Sequence, residues 1–267
     1  MVGTRPEVEE LEHAMTLVRE SGPSVAELLN SALSQPLLAQ VTSRSYLHPN
    51  GFAKIVLHDA GPTGTSVRLH VWPAVENPSP EDLANRRDSA PHGHRWNFAS
   101  TLIAGSGLLV EEFEVHHVDD DTVVDPGETV WDEMMFRPSV TASLVPHGKA
   151  RLTCREYWVR DPIRDIYWCD VTDVHTIGPI DADMTATLVL QGPEVRPTAA
   201  VYRRPDSPAD PGRRTLAEHE IAELIQTVLA AIGGPRSPER TEPAVGGRMV
   251  AVGPSTTELE ILGRPTL

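Results

Sequence analysis

The sequence predicts a mainly β protein, a barrel or a sandwich of about ten strands, with α-helices at both ends. Between residues 46 and 205, short runs of β-branched, aromatic and aliphatic residues recur at intervals of 8–15 residues, and Gly, Pro, Asn and Asp separate them. No helical pattern intervenes, which argues against alternating β–α units. On either side of this region, apolar residues recur at steps of three and four, as in helices that bury one face.

The N-terminal residues 1–45 are predicted to form a helical extension that packs against the β-region. Ser24 is a candidate N-cap for a helix through SVAELLNSAL, and Glu27 occupies the capping-box position. The residues at helical spacing before it are Val8, Leu11, Met15 and Val18.

Residues 46–205 are predicted to form the barrel domain, and the breaker-rich stretch 76–90 is predicted to be a surface loop. The expected strands are FAKIVLH, SVRLHVW, NFASTLIAG, GLLVEEFEV, ETVWDEMMF, VTASLV, ARLTCREYWV, DIYWCDVTDV, TATLVLQG and AAVYR.

A C-terminal helix is predicted within residues 206–233, ending at the Gly233-Gly234 pair. The following residues, 234–267, are rich in Pro, Gly and charge, and we expect a poorly ordered tail. The apolar face of the helix consists of Leu216, Ile221, Leu224, Ile225, Val228 and Leu229.

Charge and cysteine content exclude several classes of protein. With 38 acidic and 23 basic residues, the chain has a formal net charge of −15, and no stretch forms a basic cluster. Such a surface repels phosphate backbones, so nucleic acid is not expected as a partner. No apolar run reaches the roughly 18–20 residues that cross a bilayer, so no membrane partner is expected either. Because Cys154 and Cys169 are too few for a disulfide framework and the N-terminus lacks a signal-peptide pattern, we expect a cytoplasmic protein.

The strongest local signal for function is the sequence PHGHRWNF. On a strand, alternate side chains share a face, so His92 and His94 are predicted to point to the same side. Two imidazoles about 6–7 Å apart along a strand can bind one metal ion. Trp96, Phe98 and Ser100 are predicted to lie on that face as well. A strand face that carries both potential metal ligands and apolar side chains is typical of small-molecule cavities.

An H-x-H pair followed about ten residues later by a glycine turn, here GSG from Gly105, resembles the first motif of the cupin superfamily. The resemblance implies a jelly-roll barrel (a double-stranded β-helix) and a third metal ligand from a later strand. His175 precedes the apolar strand TATLVLQ, an order that resembles the second cupin motif, although the usual P-x-G-x-x-H approach and the following Asn are absent. His70 is our second candidate for this ligand, or a residue that supports the ligands from behind.

The ligand set that the resemblance implies consists of three histidines. Many cupins place Glu four or five residues after the second histidine, where this chain has Phe98 and Ala99. The pattern therefore resembles the three-histidine subset, which includes the cysteine-dioxygenase-like enzymes and binds iron(II). Glu111 or Glu112, on the adjacent strand, could still complete the shell. In an immunoglobulin-like sandwich, the competing fold, His92 and His94 would have no converging partner.

Three imidazoles without a carboxylate leave a divalent ion its full charge and roughly three open positions, which suit an anionic substrate and oxygen. Zinc also accepts three histidines and a water, and nickel, manganese and copper are further alternatives. The ligands alone leave redox and Lewis-acid chemistry open. The cupin resemblance favours one iron(II) ion.

Candidate substrate-binding residues surround this predicted metal site. Arg68, His70 and Trp72 alternate onto one face of the strand SVRLHVW, where the guanidinium could pair with a substrate carboxylate. Trp96 and Tyr157 are further candidates, whereas Arg95 alternates away from the two histidines and is predicted to face outwards. The full set of substrate-binding candidates is Arg68, His70, Trp72, Trp96 and Tyr157.

The stretches HPNGF, H-x-H-R-W-x-F and TLVLQGP together resemble uncharacterised actinobacterial cupin-like proteins, a resemblance that spans most of the barrel and implies no substrate. We expect an iron-dependent oxygenase that acts on a small anionic metabolite with O₂. The residue composition is typical of a GC-rich genome, in which many such genes belong to secondary metabolism, so we expect a role there by analogy. A metal-dependent isomerase, lyase or hydrolase and a non-catalytic ligand-binding cupin are the alternatives, and the sequence leaves a homodimer open.

Overall fold

A computed structural model describes residues 10–11, 13–16, 23–49, 51–79, 90–119, 127–138, 143–159, 165–205, 207 and 212–233. The described chain folds into two antiparallel sheets with helices on one side, which confirms the predicted fold class of a single jelly-roll barrel with flanking helices. Among these residues, no helix is long and apolar enough to cross a membrane.

The elements are numbered in chain order. The helices are α1 (Pro23–Ala32), α2 (Leu37–Arg44) and α3 (Glu218–Gly233). The strands are β1 (Tyr46–Leu47), β2 (Ala53–Asp59), β3 (Ser66–Trp72), β4 (Phe98–Ala104), β5 (Leu108–His117), β6 (Trp131–Arg137), β7 (Ser143–Val159), β8 (Ile166–Cys169), β9 (Val174–Pro179), β10 (Thr185–Gln191), β11 (Ala199–Arg203) and β12 (Arg214–Thr215).

The larger sheet has seven strands in the order β12-β1-β2-β3-β10-β4-β8, and the smaller sheet has five in the order β11-β6-β7-β5-β9. From β8 onward, each strand lies in the other sheet from the one before it. These crossings join the two sheets into one barrel, so that side chains from distant parts of the sequence meet between them.

Strand alternation divides the seven-stranded sheet into two faces with different roles. One face, with Ile55, Leu69 and Leu188, packs in a single core with Leu29 of α1 and Ile225 of α3. The intervening residues of the same strands point into the barrel, where the polar side chains of the candidate site lie. The helices therefore cover the outer face and leave the inner face for ligands.

The predicted elements differ from the observed ones in their boundaries. Two expected strands form the single long strand β7, while the expected strand DIYWCDVTDV is divided into β8 and β9 by a turn. The short strands β1 and β12, which pair with each other, were not predicted. Two residues cannot show a period, which is why sequence patterns miss such strands.

The flanking helices pack as predicted, with Leu11 and Met15 buried in the same core as Ile221 of α3. Val8, Val18 and the tail 234–267 lie outside the described residues. The division of the chain into extension, barrel, helix and tail stays a prediction.

Candidate metal centre

Three imidazoles meet inside the barrel in a nearly regular triangle. The ring centroids of His92, His94 and His175 are 5.0 Å apart in each of the three pairs. Their ligand atoms all lie within 4.8 Å of one another, and this group contains no other residue of the described chain. The structure therefore brings together the three histidines that the sequence singled out, as expected for the barrel and not for the sandwich.

Backbone pairing fixes the positions of His92 and His175. His92 forms an isolated bridge with His175 of β9 and another with Val201 of β11, the two edge strands of the five-stranded sheet. Each of the two histidines donates its N–H to the carbonyl of the other at 3.0 Å. This bridge joins one edge of the sheet to the other, so the position of two candidate ligands depends on main-chain hydrogen bonds.

The expectation that His92 and His94 open a strand is wrong, because β4 begins only at Phe98. Residues 93–97 cross from the five-stranded sheet to the seven-stranded sheet, and a crossing segment cannot keep the two-residue period of a strand. Nevertheless His94 turns inward, with its ring 4.9 Å from Phe98 and 6.0 Å from Trp96, measured between centroids. His175, expected at the end of a strand, is the second residue of β9.

Hydrogen bonds behind the rings orient two of the three imidazoles. His92 Nδ1 lies 2.9 Å from the Ala90 carbonyl, an acceptor, so this nitrogen carries the proton. His175 Nδ1 lies 2.5 Å from the hydroxyl of Tyr167. A metal ion on Nε2 of His175 would require Nδ1 to carry the proton and to donate it to the Tyr167 oxygen.

The contact with the Ala90 carbonyl leaves the Nε2 lone pair of His92 free, and the tautomer with the proton on Nδ1 does the same for His175. His94 Nε2 lies 2.9 Å from His175 Nε2, which requires a cation between them or a proton on one of them. At metal–nitrogen bonds of about 2.1 Å, neighbouring ligands are about 3.0 Å apart around an octahedral ion and about 3.4 Å around a tetrahedral one. The observed separation of these two Nε2 atoms matches neighbouring positions around an octahedral ion.

Burial, the largest cause in each case, lowers the pKa of all three imidazoles. For His94, the nearby His92 and His175 lower the pKa further. Metal binding requires neutral imidazoles, so rings held unprotonated at neutral pH are ready for an ion. In donor type, protonation state and spacing, the three residues fit a divalent metal.

The other candidate ligands do not join this group. Glu111 accepts a hydrogen bond from Thr176 Oγ1 at 2.6 Å, and because Glu111 is paired in register with Thr176, it lies on the opposite face of β9 from His175. Glu112 is paired in register with His175, but it is not among the atoms clustered within 4.8 Å. His70 also lies outside that cluster.

The predicted substrate-binding residues are distributed around the triad, and their role stays a prediction. Arg68 and His70 are half-buried on the inner face of β3, and Arg68 Nε and His70 Nε2 are buried without hydrogen-bond partners. Trp96 is half-buried beneath Arg68, whose guanidinium carbon is 5.0 Å from the ring centroid. Trp72 is 1% exposed and packs in the core. Tyr157 lies on β7 opposite Val110, and its side chain is outside the described part of the chain.

Arg95 does not face outwards as its position in the sequence suggested. Its side chain is only 11% exposed and forms an ion pair with Glu194, and its guanidinium carbon lies 5.0 Å from the Trp96 ring centroid. Residues 93–97 do not form a strand, so their side chains do not alternate between two faces.

Sequence patterns missed Lys54, whose charge lowers the pKa of His92 and His94, and the neighbouring residues Tyr46 and Arg213. Tyr46 pairs in register with Lys54, and Lys54 pairs in register with His70. One signal was available in the sequence: Lys54 is one of only two lysines, the other being Lys149, and it lies in an apolar strand.

A separate cavity of about 360 Å³ reaches the triad from the side of the five-stranded sheet. His94 and Gly93 line it together with Glu133 and Tyr202, whose hydroxyl donates to the buried Glu133 carboxylate at 3.2 Å. The cavity therefore adjoins one candidate ligand directly.

Comparison with known proteins identifies no family for this chain. No family model matches its sequence, and no curated protein matches it significantly. Solved structures with partial similarity include an 11S globulin from Wrightia tinctoria (13% identity, 55% of this chain and 30% of that one, TM-score 0.30). Another is CapF with the inhibitor 3-isopropenyl-tropolone (14% identity, 57% and 31%, TM-score 0.30). A third is hydroxypropylphosphonic acid epoxidase from S. wedmorenis (10% identity, 56% and 56%, TM-score 0.29).

This chain spans less than two thirds of each of these proteins. Similarity of this extent establishes neither a family nor an activity. The geometry of the candidate metal centre therefore carries the functional argument.

Proposed function

We propose that the protein is an iron(II)-dependent oxygenase that oxidises a small anionic metabolite with O₂. His92, His94 and His175 would hold the ion. The observation that carries the proposal is the spacing of the imidazoles, with centroids 5.0 Å apart in every pair and two Nε2 atoms at 2.9 Å. This spacing suits one face of an octahedral ion and leaves the opposite face for other ligands.

The ion would supply oxygen activation and Lewis acidity, and the residues of this chain would do the rest. Three neutral imidazoles add no negative charge, so an anionic substrate group is favoured as a further ligand. Arg68 would hold an acidic group of the substrate, because its guanidinium lies on the inner face and its buried Nε has no partner. Phe98 and Trp96, beside His94, would keep water from the reacting groups.

Oxygen consumption by the anaerobically iron-loaded protein tests this proposal. A panel of amino acids, thiols and aromatic acids would be screened with an oxygen electrode, with metal-free protein and the zinc-loaded protein as controls. We expect substrate-dependent oxygen uptake that requires iron and is lost in His94→Ala. Turnover that proceeds equally well without oxygen would instead establish Lewis-acid chemistry, and metal-independent ligand binding without turnover would establish a non-catalytic binding protein.

The role of Arg68 is tested separately once a substrate is known. Arg68→Gln should raise KM at least about tenfold, since a charge-assisted hydrogen bond contributes about 1.5–3 kcal/mol. Arg151→Gln is the matched control, because Arg151 pairs with Glu128 on the exposed surface. If Arg68→Gln changes neither KM nor kcat, Arg68 does not bind the acidic group of the substrate, even if the three histidines do bind the metal.

A further inference from the structure

The inner face of the seven-stranded sheet carries a group of cations beside the candidate metal centre. Tyr46, Lys54 and His70 stand in register across β1, β2 and β3, so their side chains lie on one face. Lys54 Nζ is 5.8 Å from the ring centroids of both Tyr46 and Trp96. The guanidinium carbon of Arg213 is 4.6 Å from the Tyr46 ring centroid. We call Lys54, Arg68 and Arg213 the cation cluster.

No acidic residue of the described chain forms an ion pair with any member of the cation cluster. Arg95, on the same Trp96 ring, is already neutralised by Glu194. Asp59 interacts electrostatically with Arg68, but its Oδ1 accepts hydrogen bonds from Ser66 and from the N–H of Gly61. Within the described residues the cluster therefore has no direct ion-pair partner, and Asp59 offsets part of the charge of Arg68.

Such an arrangement is costly unless a ligand compensates it. Lys54 and Arg68 are half-buried, whereas Arg213 is exposed at the edge of the cluster, and like charges that are partly dehydrated repel one another. Burial lowers the pKa of Lys54, and Arg68, Arg213 and Arg95 lower it further. Arg68 Nε and His70 Nε2 also lack hydrogen-bond partners. In a chain with a net charge of −15, such a local excess of cations is unusual, and it attracts anions.

We propose that Lys54, Arg68 and Arg213 form an oxyanion subsite for a second acidic group of the substrate, so that the substrate is a small acid with at least two negative charges. This inference rests on the proposed function in placing the other acidic group at the metal. Trp96 is close to both sites, with its ring centroid 6.0 Å from that of His94 and 5.8 Å from Lys54 Nζ. One small molecule lying along Trp96 would reach both, with a carboxylate, phosphate or phosphonate at the cation cluster.

Anion binding to the metal-free protein tests the subsite without involving the metal. Inorganic phosphate would be titrated calorimetrically into protein stripped with a chelator and dialysed, at constant ionic strength. Lys54→Met should weaken binding by about tenfold or more, because one charge-assisted hydrogen bond is removed. Lys149→Met provides a matched control with the other, exposed lysine, and should bind phosphate like the wild type. Lys54→Arg, which retains the charge, should keep most of the affinity.

The possible results separate this inference from the proposed function. If wild-type metal-free protein binds phosphate no better than Lys54→Met does, the subsite does not exist, whether or not the iron-loaded protein consumes oxygen. If phosphate binds as expected but oxygen is not consumed, the subsite stands and the oxygenase proposal fails. If the circular-dichroism spectrum shows that Lys54→Met is unfolded, Arg68→Met replaces it in the phosphate titration. Phosphate binding by Arg68→Met that equals that of the wild type would overturn the subsite.

A second measurement tests whether one molecule reaches both sites. The metal-loaded protein would be titrated with acetate and with malonate, succinate and glutarate. We expect at least one dicarboxylate to bind more than about tenfold better than acetate, and this advantage should disappear in both His92→Ala and Lys54→Met. An advantage that persists in Lys54→Met would place the second acidic group elsewhere and contradict the proposal.

Discussion

His92 and His175 face each other across an isolated backbone bridge in which each donates its N–H to the carbonyl of the other at 3.0 Å. Their imidazole centroids are 5.0 Å apart. Because the main chain, not the side chains, forms this bridge, either imidazole can be removed without breaking it. The geometry of the centre should therefore survive single substitutions.

Removal of one imidazole should release the metal while the fold is retained. Purified protein is expected to bind one divalent transition metal, and His92→Ala or His94→Ala should bind less than about a tenth as much, since two imidazoles hold a catalytic metal weakly. Elemental analysis and circular dichroism give the two measurements. His58→Ala, an exposed histidine on β2, is the matched control and should retain the metal. Full metal content in His94→Ala would contradict the ligand assignment.

Tyr167→Phe should weaken metal binding by about 10- to 100-fold, the usual effect of removing the group that orients a ligating histidine. The reason is the loss of the hydrogen bond between its hydroxyl and His175 Nδ1. The affinity would be measured by competition with a chromophoric chelator. Tyr202→Phe is the control, because its hydroxyl donates to Glu133 instead. Equal affinities in the two variants would show that Tyr167 does not orient His175.

The stability of the metal-free protein should fall as the pH falls below about 6.5, the pKa of histidine in an unfolded chain. Burial lowers the folded-state pKa of the histidines inside the barrel, so the unfolded chain takes up protons first. The free energy of unfolding then decreases by up to about 1.4 kcal/mol per pH unit for each of them. These histidines are His48, His70, His92, His94 and His175.

Urea unfolding at pH 7.5, 6.5 and 5.5 measures this dependence above the range where carboxylates titrate. His70→Gln should make it shallower, whereas His58→Gln, at an exposed position, should leave it unchanged. A free energy of unfolding that is constant over this range would show that the buried histidines take up protons in the folded state as well.

The turn between β4 and β5 should not tolerate a side chain. Gly105 has a φ of +103°, and a Cβ there would lie 2.7 Å from Thr185 Oγ1 and 2.9 Å from Thr185 Cα. Gly105→Ala should cost more than about 2 kcal/mol in the free energy of unfolding, through backbone strain and overlap together. Gly61→Ala is the matched control, since Gly61 has a φ of +81° but open space around it, and should cost only about 1 kcal/mol. Equal costs would mean that the overlap relaxes freely.

The sequence by itself determined the mainly β fold, most of the strands and the three histidines. Alternation with period two, turn residues between the runs and helical spacing at the ends are local properties, and each is visible within about ten residues. The pair His92 and His94 and the later His175 were identified from residue type and from a resemblance between motifs. The arrangement on the inner face of β3, with Arg68 and His70 side by side, also followed from alternation alone.

Only the tertiary structure decided how these residues meet. His92 and His175 are paired because the bridge joins the two edge strands of one sheet, and no local pattern specifies pairing between residues that are 83 positions apart. Residues 93–97 change sheets, which breaks the alternation that had placed Arg95 outside. Lys54 became a candidate only when register placed it between Tyr46 and His70, because a lone lysine in a strand carries no sign of its neighbours. Residue types and their local patterns can be identified in the sequence, whereas which side chains come together depends on which strands pair.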